Sequence, residues 1–248
     1  MRNLTGKVAL VTGGSRGIGA AIAKRLARDG ADVAISYSAA EERAKAVVQE
    51  LEGYGVRALA VRADQGHPQE VAALVQKVHA HFGRLDILVN NAGVFVTGRV
   101  GDPSADIAAL DRQWAVNMGG VVAAVRAAAP LLADGGRIVP IGTVGATRAP
   151  FAGISDYVAT KAAVASYTRG WARDLGARQI TVNVVQPGAI DTEMNPATAD
   201  HAPGLSAMAA LGRYGKPEDI AGAVAFLVGP DGNYVTGATI NVDGGQLT

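Results

Sequence analysis

Three side chains in the middle of the chain could together reduce a carbonyl group. Tyr157 and Lys161 form Tyr-x-x-x-Lys in a predicted helix, and a spacing of four residues places both on one helical face. A carbonyl that accepts hydride gains negative charge on its oxygen and needs a proton, which a phenol can supply. A free phenol has a pKa near ~10, and we expect the Lys161 ammonium to lower the pKa of Tyr157. Thr143, directly after a predicted strand, would donate a hydrogen bond to the substrate oxygen.

Each of these residues also has a competing interpretation. Tyr-x-x-x-Lys can arise by chance in a chain with six tyrosines, and its place after the strand that leads to Thr143 is what favours a catalytic site. Ser155 is a weaker candidate for the hydroxyl donor. Asn117, just before Met118-Gly119-Gly120, is a further candidate, although a polar residue beside two glycines can simply interrupt a helix.

A glycine-rich turn near the N-terminus could bind a pyrophosphate. The first predicted strand leads into Thr12-Gly13-Gly14-Ser15-Arg16-Gly17-Ile18-Gly19 and then a helix. Glycines there let the backbone approach a phosphate, and the helix N-terminus supplies free N–H groups. The spacing Gly-x-x-x-Gly-x-Gly differs from the usual Gly-x-Gly-x-x-Gly fingerprint, and a tight turn without a ligand is the alternative. The residues expected to contact the cofactor are Gly13, Ser15, Arg16, Gly17, Ile18 and Gly19.

The end of the second predicted strand indicates which dinucleotide binds. NAD enzymes usually place an acidic residue there, against the ribose 2′-hydroxyl, but Asp32 lies at the opposite end of this strand. The exit carries Tyr37 and Ser38, which would not repel a 2′-phosphate, and Arg16 could pair with that phosphate. We therefore predict NADP(H), with a solvated surface arginine as the alternative for Arg16. Two acidic residues that follow closely argue the other way, Glu41 and Glu42.

The ends of the next two predicted strands also carry polar or small residues. Asp64 ends the third strand and could accept the adenine amino group, or cap the following helix. The fourth strand ends in Asn90-Asn91-Ala92-Gly93. Small and amide residues at the carboxyl end of a strand suit a crevice that holds ribose and nicotinamide. From this segment we expect cofactor contacts from Asn90, Ala92 and Gly93.

Short apolar runs alternate with longer segments of helical periodicity along the chain. Strands are predicted at 8–11, 33–35, 58–61, 87–89, 138–141, 182–185 and 239–242, and helices at 17–29, 40–52, 68–81, 105–132, 156–176 and 217–228. This alternation predicts an α/β fold, a Rossmann-like, doubly wound parallel sheet of about seven strands with helices on both faces. Residues 1–248 would form a single dinucleotide-binding catalytic domain, in which the long connection 189–213 is the predicted substrate-binding loop.

Composition excludes several classes of protein. The 248 residues include 49% hydrophobic residues and carry a net charge of +1, so we expect neither disorder nor nucleic-acid binding. There are no cysteines and four histidines, and no cluster has the spacing of metal ligands, so we predict no metal site. We see no signal peptide and no apolar stretch near the ~20 residues of a membrane span. A cytoplasmic protein without a membrane partner is the expectation.

Taken together, these motifs resemble the short-chain dehydrogenase/reductase family. They occur in its order and approximate spacing, and the resemblance runs from Lys7 to Val242-Asp243-Gly244-Gly245. The chain looks most like NADPH-using members related to 3-oxoacyl-carrier-protein reductases. The motifs are Thr12-Gly13-x-x-x-Gly17-x-Gly19, Asn90-Asn91-Ala92-Gly93, Asn117, Tyr157-x-x-x-Lys161 and Pro187-Gly188.

The resemblance implies a role for each matched residue. Tyr157 would be the general acid in reduction and the base in oxidation, while Lys161 would bond the nicotinamide ribose and lower the pKa of Tyr157. Asn117 would hold a water that links Lys161 to solvent. Thr192 would contact the nicotinamide carboxamide or the pyrophosphate, and it follows further implied cofactor contacts at Pro187, Gly188 and Ile190. One position departs, since the family usually has serine where this chain has Thr143.

The function implied is an NADPH-dependent carbonyl reductase acting on a small-molecule ketone or aldehyde. An NAD-dependent alcohol dehydrogenase of the same family and a non-catalytic dinucleotide-binding module remain alternatives. Loop 189–213 and residues 94–100 and 144–155 are expected to shape the substrate pocket. Small apolar residues abound in 105–132 and 156–176. Because family members usually pair such helices between subunits, we expect a homotetramer, or failing that a dimer.

Overall fold

A central parallel sheet forms the framework of the molecule. In the computed structural model, which describes residues 3–248, six strands lie side by side in the order β3-β2-β1-β4-β5-β6. All neighbouring strands in this sheet pair in parallel. The strands are β1 (Val8–Val11), β2 (Asp32–Tyr37), β3 (Ala58–Arg62), β4 (Leu85–Asn90), β5 (Leu132–Pro140) and β6 (Thr181–Val182). Strand order reverses next to β1, which creates a crevice at the carboxyl ends of β1 and β4.

Helices connect the strands and cover both faces of the sheet. On one face of the sheet the helices contribute Ile22, Leu26 and Val224 to a hydrophobic layer. On the other face they contribute Leu74 and Val125 to a second layer, so the sheet is enclosed on both sides. The helices are α1 (Gly17–Arg28), α2 (Glu41–Glu52), α3 (Pro68–Phe82), α4 (Ile107–Trp114), α5 (Gly120–Ala128), α6 (Ser155–Leu175), α7 (Ala202–Met208) and α8 (Pro217–Val228). The predicted doubly wound α/β architecture is therefore confirmed.

The strand number differs from the predicted seven because the segment near Asn183 divides. The Asn183 side chain donates to the Val235 carbonyl (2.7 Å) and accepts from the Ala238 N–H (3.1 Å). The chain then continues as β7 (Val184–Pro187), which pairs in parallel with β8 (Thr239–Val242) in a separate two-stranded sheet. An isolated parallel bridge between Ile141 and Val185 joins this small sheet to the end of β5.

The predicted helix at 105–132 is wrong as a continuous element. A π-helical turn over Ala115–Gly119 separates α4 from α5, and such turns are frequent at functional sites. Helix α5 ends before Pro130, which lacks an N–H group and cannot continue a helix. Leu132 already belongs to β5.

The long connection at 189–213 contains a helix that the sequence reading did not predict. Helix α7 occupies seven of its residues, and an isolated parallel bridge joins Ile190, near the start of the connection, to Gly215, just after it. Across residues 3–248, none of the helices has the length and apolar character that crossing a bilayer requires.

Candidate active site

The glycine-rich turn after β1 is held against the end of β4 by a small hydrogen-bond network. The Thr12 hydroxyl accepts from the backbone N–H groups of Asn91 (3.0 Å) and Ala92 (3.1 Å). The Asn91 amide in turn donates to the carbonyls of Thr12 (3.0 Å) and Gly13 (3.1 Å). Gly13 has φ +64°, and a Cβ there would lie 2.9 Å from the Cα of Ala92. Only glycine fits this close approach of two backbones.

The N-terminus of α1 opens into the same crevice with unsatisfied donors. Arg16 is the residue before the helix, and its side chain makes no capping hydrogen bond to the first turn. The N–H groups of that turn thus stay available to an anion. Among the predicted contacts, Gly13, Ser15, Arg16, Gly17, Ile18 and Gly19 all line the crevice. The donors, the positive helix end and the glycine cradle fit a dinucleotide pyrophosphate.

Tyr37 and Ser38, at the exit of β2, line the crevice as predicted. Asp32 lies at the other end of the strand and forms an ion pair with Arg57 at 2.7 Å. Two glutamates follow the exit, and each forms an ion pair with Lys45 at 3.0 Å. Their hydrogen bonds raise the pKa of Lys45 to about 12. These acidic residues are Glu41 and Glu42.

Asp64 lines the crevice, but its carboxylate is already engaged. It accepts a hydrogen bond from Arg112 and one from the Gly66 N–H at 2.9 Å. Burial opposes its ionisation, yet these bonds together lower the pKa of Asp64. The alternative helix-cap role is wrong, because the residue before α3 is His67. Arg112, which the sequence reading missed, lines the crevice beside Asp64 and occupies one of its carboxylate oxygens.

The segment at the end of β4 divides into a buried and an exposed part. Ala92 and Gly93 line the crevice as predicted, and so does Asn91. The Asn90 side chain is 1% exposed and lies below the crevice within β4. Asn90 is thus the one predicted contact of this segment whose side chain does not reach the crevice, and its contact with the cofactor stays a prediction.

Tyr157, Lys161 and Thr143 meet at the centre of the crevice. Tyr157 lies in the first turn of α6, and Lys161 follows one turn later on the same face. Thr143 lies close enough to Tyr157 to lower the pKa of its phenol, and the Thr143 hydroxyl accepts from the Gly145 N–H at 3.2 Å. The Phe95 ring packs edge-on against Tyr157, with centroids 4.9 Å apart. The alternative donor, Ser155, is exposed and does not border the crevice.

Burial sets the pKa values of this group. It raises the pKa of Tyr157 to about 12, which the hydrogen bond with Thr143 only partly offsets. It lowers the pKa of Lys161 to about 8. We expected Lys161 to lower the pKa of Tyr157; the net shift is upward because burial outweighs the lowering by Thr143, and Lys161 is not among its causes. The Lys161 Nζ donates a hydrogen bond to the Ile141 carbonyl at 2.8 Å.

Asn117 lies in the π-helical turn, behind the crevice wall rather than on it. Its amide donates to the Val94 carbonyl (2.9 Å) and its carbonyl oxygen accepts from the Val94 N–H (2.8 Å). A weaker contact of 3.4 Å joins it to the Thr160 hydroxyl. The side chain is fully buried, so it supports the loop after β4 next to Lys161.

The segment after β7 closes the crevice on the side opposite the tyrosine. Pro187, Gly188, Ile190 and Thr192 all line the crevice, as predicted. A Cβ on Gly188 would lie 2.7 Å from the Cα of Asp243, so β8 ends directly against it. The Thr192 methyl lies 3.6 Å from the position of a Cβ on Gly17, which places this threonine across from the start of α1.

The whole crevice encloses about 1010 Å³, enough for a dinucleotide and a further small molecule. Apolar side chains dominate its outer wall, together with Arg148. Sequence reasoning missed the contribution of the C-terminal residues 246–248, for which no motif gives a signal. The apolar residues of this wall are Phe95, Phe151, Met194, Leu205 and Met208. In the described part of the chain, no group of histidine, aspartate and glutamate side chains has the geometry of a metal site.

Comparison with known proteins covers the whole chain. The family model described as "Enoyl-(Acyl carrier protein) reductase" matches residues 13–246. The chain is 43% identical over 244 residues to the "Cyclic-di-GMP-binding biofilm dispersal mediator protein" of Escherichia coli, covering 98% of each chain. It is 40% identical over 248 residues to "3-oxoacyl-[acyl-carrier-protein] reductase FabG" of Staphylococcus aureus, covering 97% of this chain and 98% of that one.

Two solved structures share nearly the entire fold. A short chain dehydrogenase from Burkholderia cenocepacia in complex with NADP is 52% identical, with a TM-score of 0.96 over 99% of this chain and 100% of that chain. A blue fluorescent protein from a metagenomic library in complex with NADPH is 51% identical, with the same TM-score and coverage.

Proposed function

Because this chain belongs to the short-chain dehydrogenase/reductase family, we propose that it is an NADPH-dependent carbonyl reductase with Tyr157 as its general acid. It is an NAD(P)-dependent oxidoreductase by family. The observation that carries the finer assignment is the convergence of Tyr157, Lys161 and Thr143 at the centre of one crevice. Such a group can polarise a carbonyl oxygen and protonate it.

The chain's residues act on the substrate oxygen. The reduced nicotinamide, when bound, supplies the hydride that forms the new C–H bond. The Thr143 hydroxyl donates a hydrogen bond that orients the carbonyl oxygen. Tyr157 then transfers its proton to that oxygen, and the C=O double bond becomes a C–OH single bond. Tyr157 is protonated at neutral pH, so its proton is present for transfer to the oxyanion that hydride addition creates.

Lys161 completes this proton transfer. With a pKa of about 8, it is mostly charged at pH 7, so its ammonium stabilises the phenolate that Tyr157 becomes. Its place at the crevice wall beside Gly93 also suits a bond to the nicotinamide ribose. We propose that Asn117 contributes by holding the loop after β4 and a water that reaches Lys161.

NADPH is the proposed dinucleotide, and two observations support it. The β2 exit presents Tyr37 and Ser38, and the two nearby glutamates are paired with Lys45. Two solved structures of 52% and 51% sequence identity are complexes with NADP and NADPH. On this assignment, the start of α1 binds the pyrophosphate, and Thr192 contacts the pyrophosphate or the carboxamide. An NAD-dependent alcohol dehydrogenase is the alternative.

The substrate is proposed to be a small carbonyl compound with an apolar part. Loop 189–213 and residues 94–100 and 144–155 border the outer crevice, where Phe95, Phe151 and Met194 stand beside Arg148. This mixture suits either an apolar ketone or an acyl thioester on a carrier. We propose one catalytic domain over 1–248, in which 189–213 is the substrate-binding loop.

A non-catalytic binding protein is the second candidate. A relative of 43% identity is named for binding cyclic-di-GMP, so this family includes a protein known for a nucleotide-binding role. The intact Tyr157 and Lys161 pair favours turnover for this chain, because binding alone needs no proton donor.

We also propose a cytoplasmic homotetramer. Tyr167 is 41% exposed on α6 and stacks with Trp171 at 5.0 Å, while Phe226 of α8 is 47% exposed. Exposed aromatic side chains on two helices are typical of subunit interfaces. Sedimentation at micromolar concentration should give four chains per particle, and a monomer would contradict this assembly.

The test of the function is a substrate panel of ketones, acetoacetyl thioesters and alcohols, each run with NADPH and NADH and followed by cofactor absorbance. We expect carbonyl reduction with NADPH to give the highest kcat/KM. Alcohol oxidation that prefers NAD would favour the alternative dehydrogenase, and NADPH binding with no turnover of any compound would favour the binding protein.

A further inference from the structure

Two arginines from the cofactor side of the crevice share one carboxylate from the substrate-binding loop. Arg43 Nη1 lies 2.8 and 2.7 Å from the two carboxylate oxygens of Glu193. Arg16 Nη1 lies 2.8 Å from one of the same oxygens. The three side chains thus form one cluster across elements that are about 150 residues apart.

The position of this cluster ties two functions together. Arg16 precedes α1 in the glycine-rich turn, and Arg43 lies in the first turn of α2, shortly after Ser38 at the β2 exit. Glu193 follows Thr192 in the loop 189–213 and lines the crevice with Arg16. The carboxylate therefore neutralises Arg16, which lines the crevice, and Arg43, which lies beside it outside the crevice wall.

The cluster carries excess positive charge and is easily opened. Hydrogen bonds from Arg43 and Arg16 lower the pKa of Glu193, so it is ionised at neutral pH, and two guanidinium groups face one carboxylate. All three side chains are more than half exposed, at 56%, 52% and 56%. Ion pairs this exposed contribute little, and a phosphate monoester with a charge of about −1.5 to −2 is a stronger partner for two guanidinium groups.

We propose that Arg43 is a second determinant of 2′-phosphate recognition, and that Glu193 is an internal competitor that occupies both arginines until the 2′-phosphate displaces it. This inference rests on the proposed NADPH dependence. A dinucleotide with a 2′-phosphate frees Glu193 and with it the start of the loop 189–213. A dinucleotide without that phosphate leaves the loop held by the two arginines.

Equilibrium titrations of NADPH and NADH by calorimetry test the assignment without turnover. Arg43→Gln should weaken NADPH binding by about tenfold, the loss expected for one charged hydrogen-bond partner, and leave the Kd of NADH unchanged. Glu193→Gln should tighten NADPH binding by about threefold, because the exposed ion pair no longer competes with the 2′-phosphate. The Kd of NADH should again stay unchanged. Glu50→Gln is the matched control, because Glu50 is also 52% exposed and pairs with Lys24 far from the crevice; its two Kd values should equal those of the parent.

Two further probes isolate the phosphate and the loop. Adenosine 2′,5′-bisphosphate should show the same dependence on Arg43 and Glu193 as NADPH, whereas 5′-AMP should show none. Hydrogen exchange of residues 189–200 should rise when adenosine 2′,5′-bisphosphate is added to the parent protein and not when it is added to Glu193→Gln. If the Arg43 and Glu193 variants changed the Kd of NADPH and NADH equally, or changed neither, the inference would be overturned. NADPH binding and turnover by the parent protein would still support the proposed function in that case. If the parent protein bound neither NADPH nor NADH, both the inference and the proposed function would be overturned.

Discussion

The Lys161 ammonium donates a 2.8 Å hydrogen bond to the Ile141 carbonyl, one residue past the end of β5. No acidic side chain among the described residues forms an ion pair with it. Lys161 is 5% exposed, so its charge is carried at a cost to folding and is positioned for chemistry rather than for stability.

This cost predicts a pH-dependent stability. Burial lowers the pKa of Lys161 from 10.5 to about 8. Between these values the unfolded chain binds more protons than the folded one, so the free energy of unfolding rises with pH. Lys161→Met removes this contribution. Between pH 8 and 10 we expect the parent protein to gain about 2 kcal/mol relative to Lys161→Met, measured by urea unfolding of the ligand-free proteins.

The control for this comparison is Lys77→Met, since Lys77 is exposed on α3. Its unfolding free energy should follow that of the parent across the same pH range. The window stops near pH 10 because burial also raises the pKa of Tyr157 from 10.0 to about 12, which makes stability fall with pH above that point. Parallel curves for the parent and Lys161→Met would show that Lys161 is not buried in its charged form.

Thr143 is predicted to serve as the hydroxyl donor in place of serine. Thr143→Val keeps the shape but removes the hydroxyl, and kcat should fall by about 100-fold, the loss typical of one donor to a developing oxyanion. Thr143→Ser keeps the hydroxyl and should retain most of kcat. Ser155→Ala should have no effect, because Ser155 lies outside the crevice. Full kcat in Thr143→Val combined with an inactive Ser155→Ala would reassign the donor.

The glycine at position 13 is predicted to be required for dinucleotide binding. Gly13→Ala places a Cβ 2.9 Å from the Cα of Ala92 at φ +64°, so both the turn and the end of β4 must shift. Gly135→Ala is the matched control, since Gly135 has φ +76° with nothing within 4 Å of a Cβ. Both variants should lose about 1 to 2 kcal/mol to backbone strain. Only Gly13→Ala should also lose NADPH affinity in titration, and equal affinities would show that the close approach is unimportant.

Much of the fold was predictable because buried parallel strands are apolar throughout and helices are periodic. The exceptions are sites where a polar side chain redirects the backbone. Asn183 divides one strand by bonding to Val235 and Ala238, and Asn117 lies in a π-helical turn that periodicity does not reveal. Pro130, by contrast, is a helix-ending signal that was visible in the sequence.

The candidate site was predictable where motifs give spacing and was not where contacts join distant segments. Tyr157, Lys161 and Thr143 meet as expected. The upward shift of the Tyr157 pKa was not predicted, because residue spacing does not reveal desolvation, which is the largest cause for both Tyr157 and Lys161. The pairing of Glu193 with Arg43 spans 150 residues, and no local pattern links them.

The most direct test of the mechanism is Tyr157→Phe. The substitution removes the phenol hydroxyl and keeps the ring that packs edge-on against Phe95, so the fold and the crevice should persist. Tyr167→Phe, on the exposed face of the same helix, is the control and should behave as the parent. We measure NADPH affinity by titration and single-turnover carbonyl reduction by the loss of NADPH absorbance.

We expect an unchanged Kd for NADPH in Tyr157→Phe and a reduction rate lower by about 10²- to 10⁴-fold, the range for loss of a general acid. A reduction rate equal to that of the parent would contradict the assignment of Tyr157 as the proton donor.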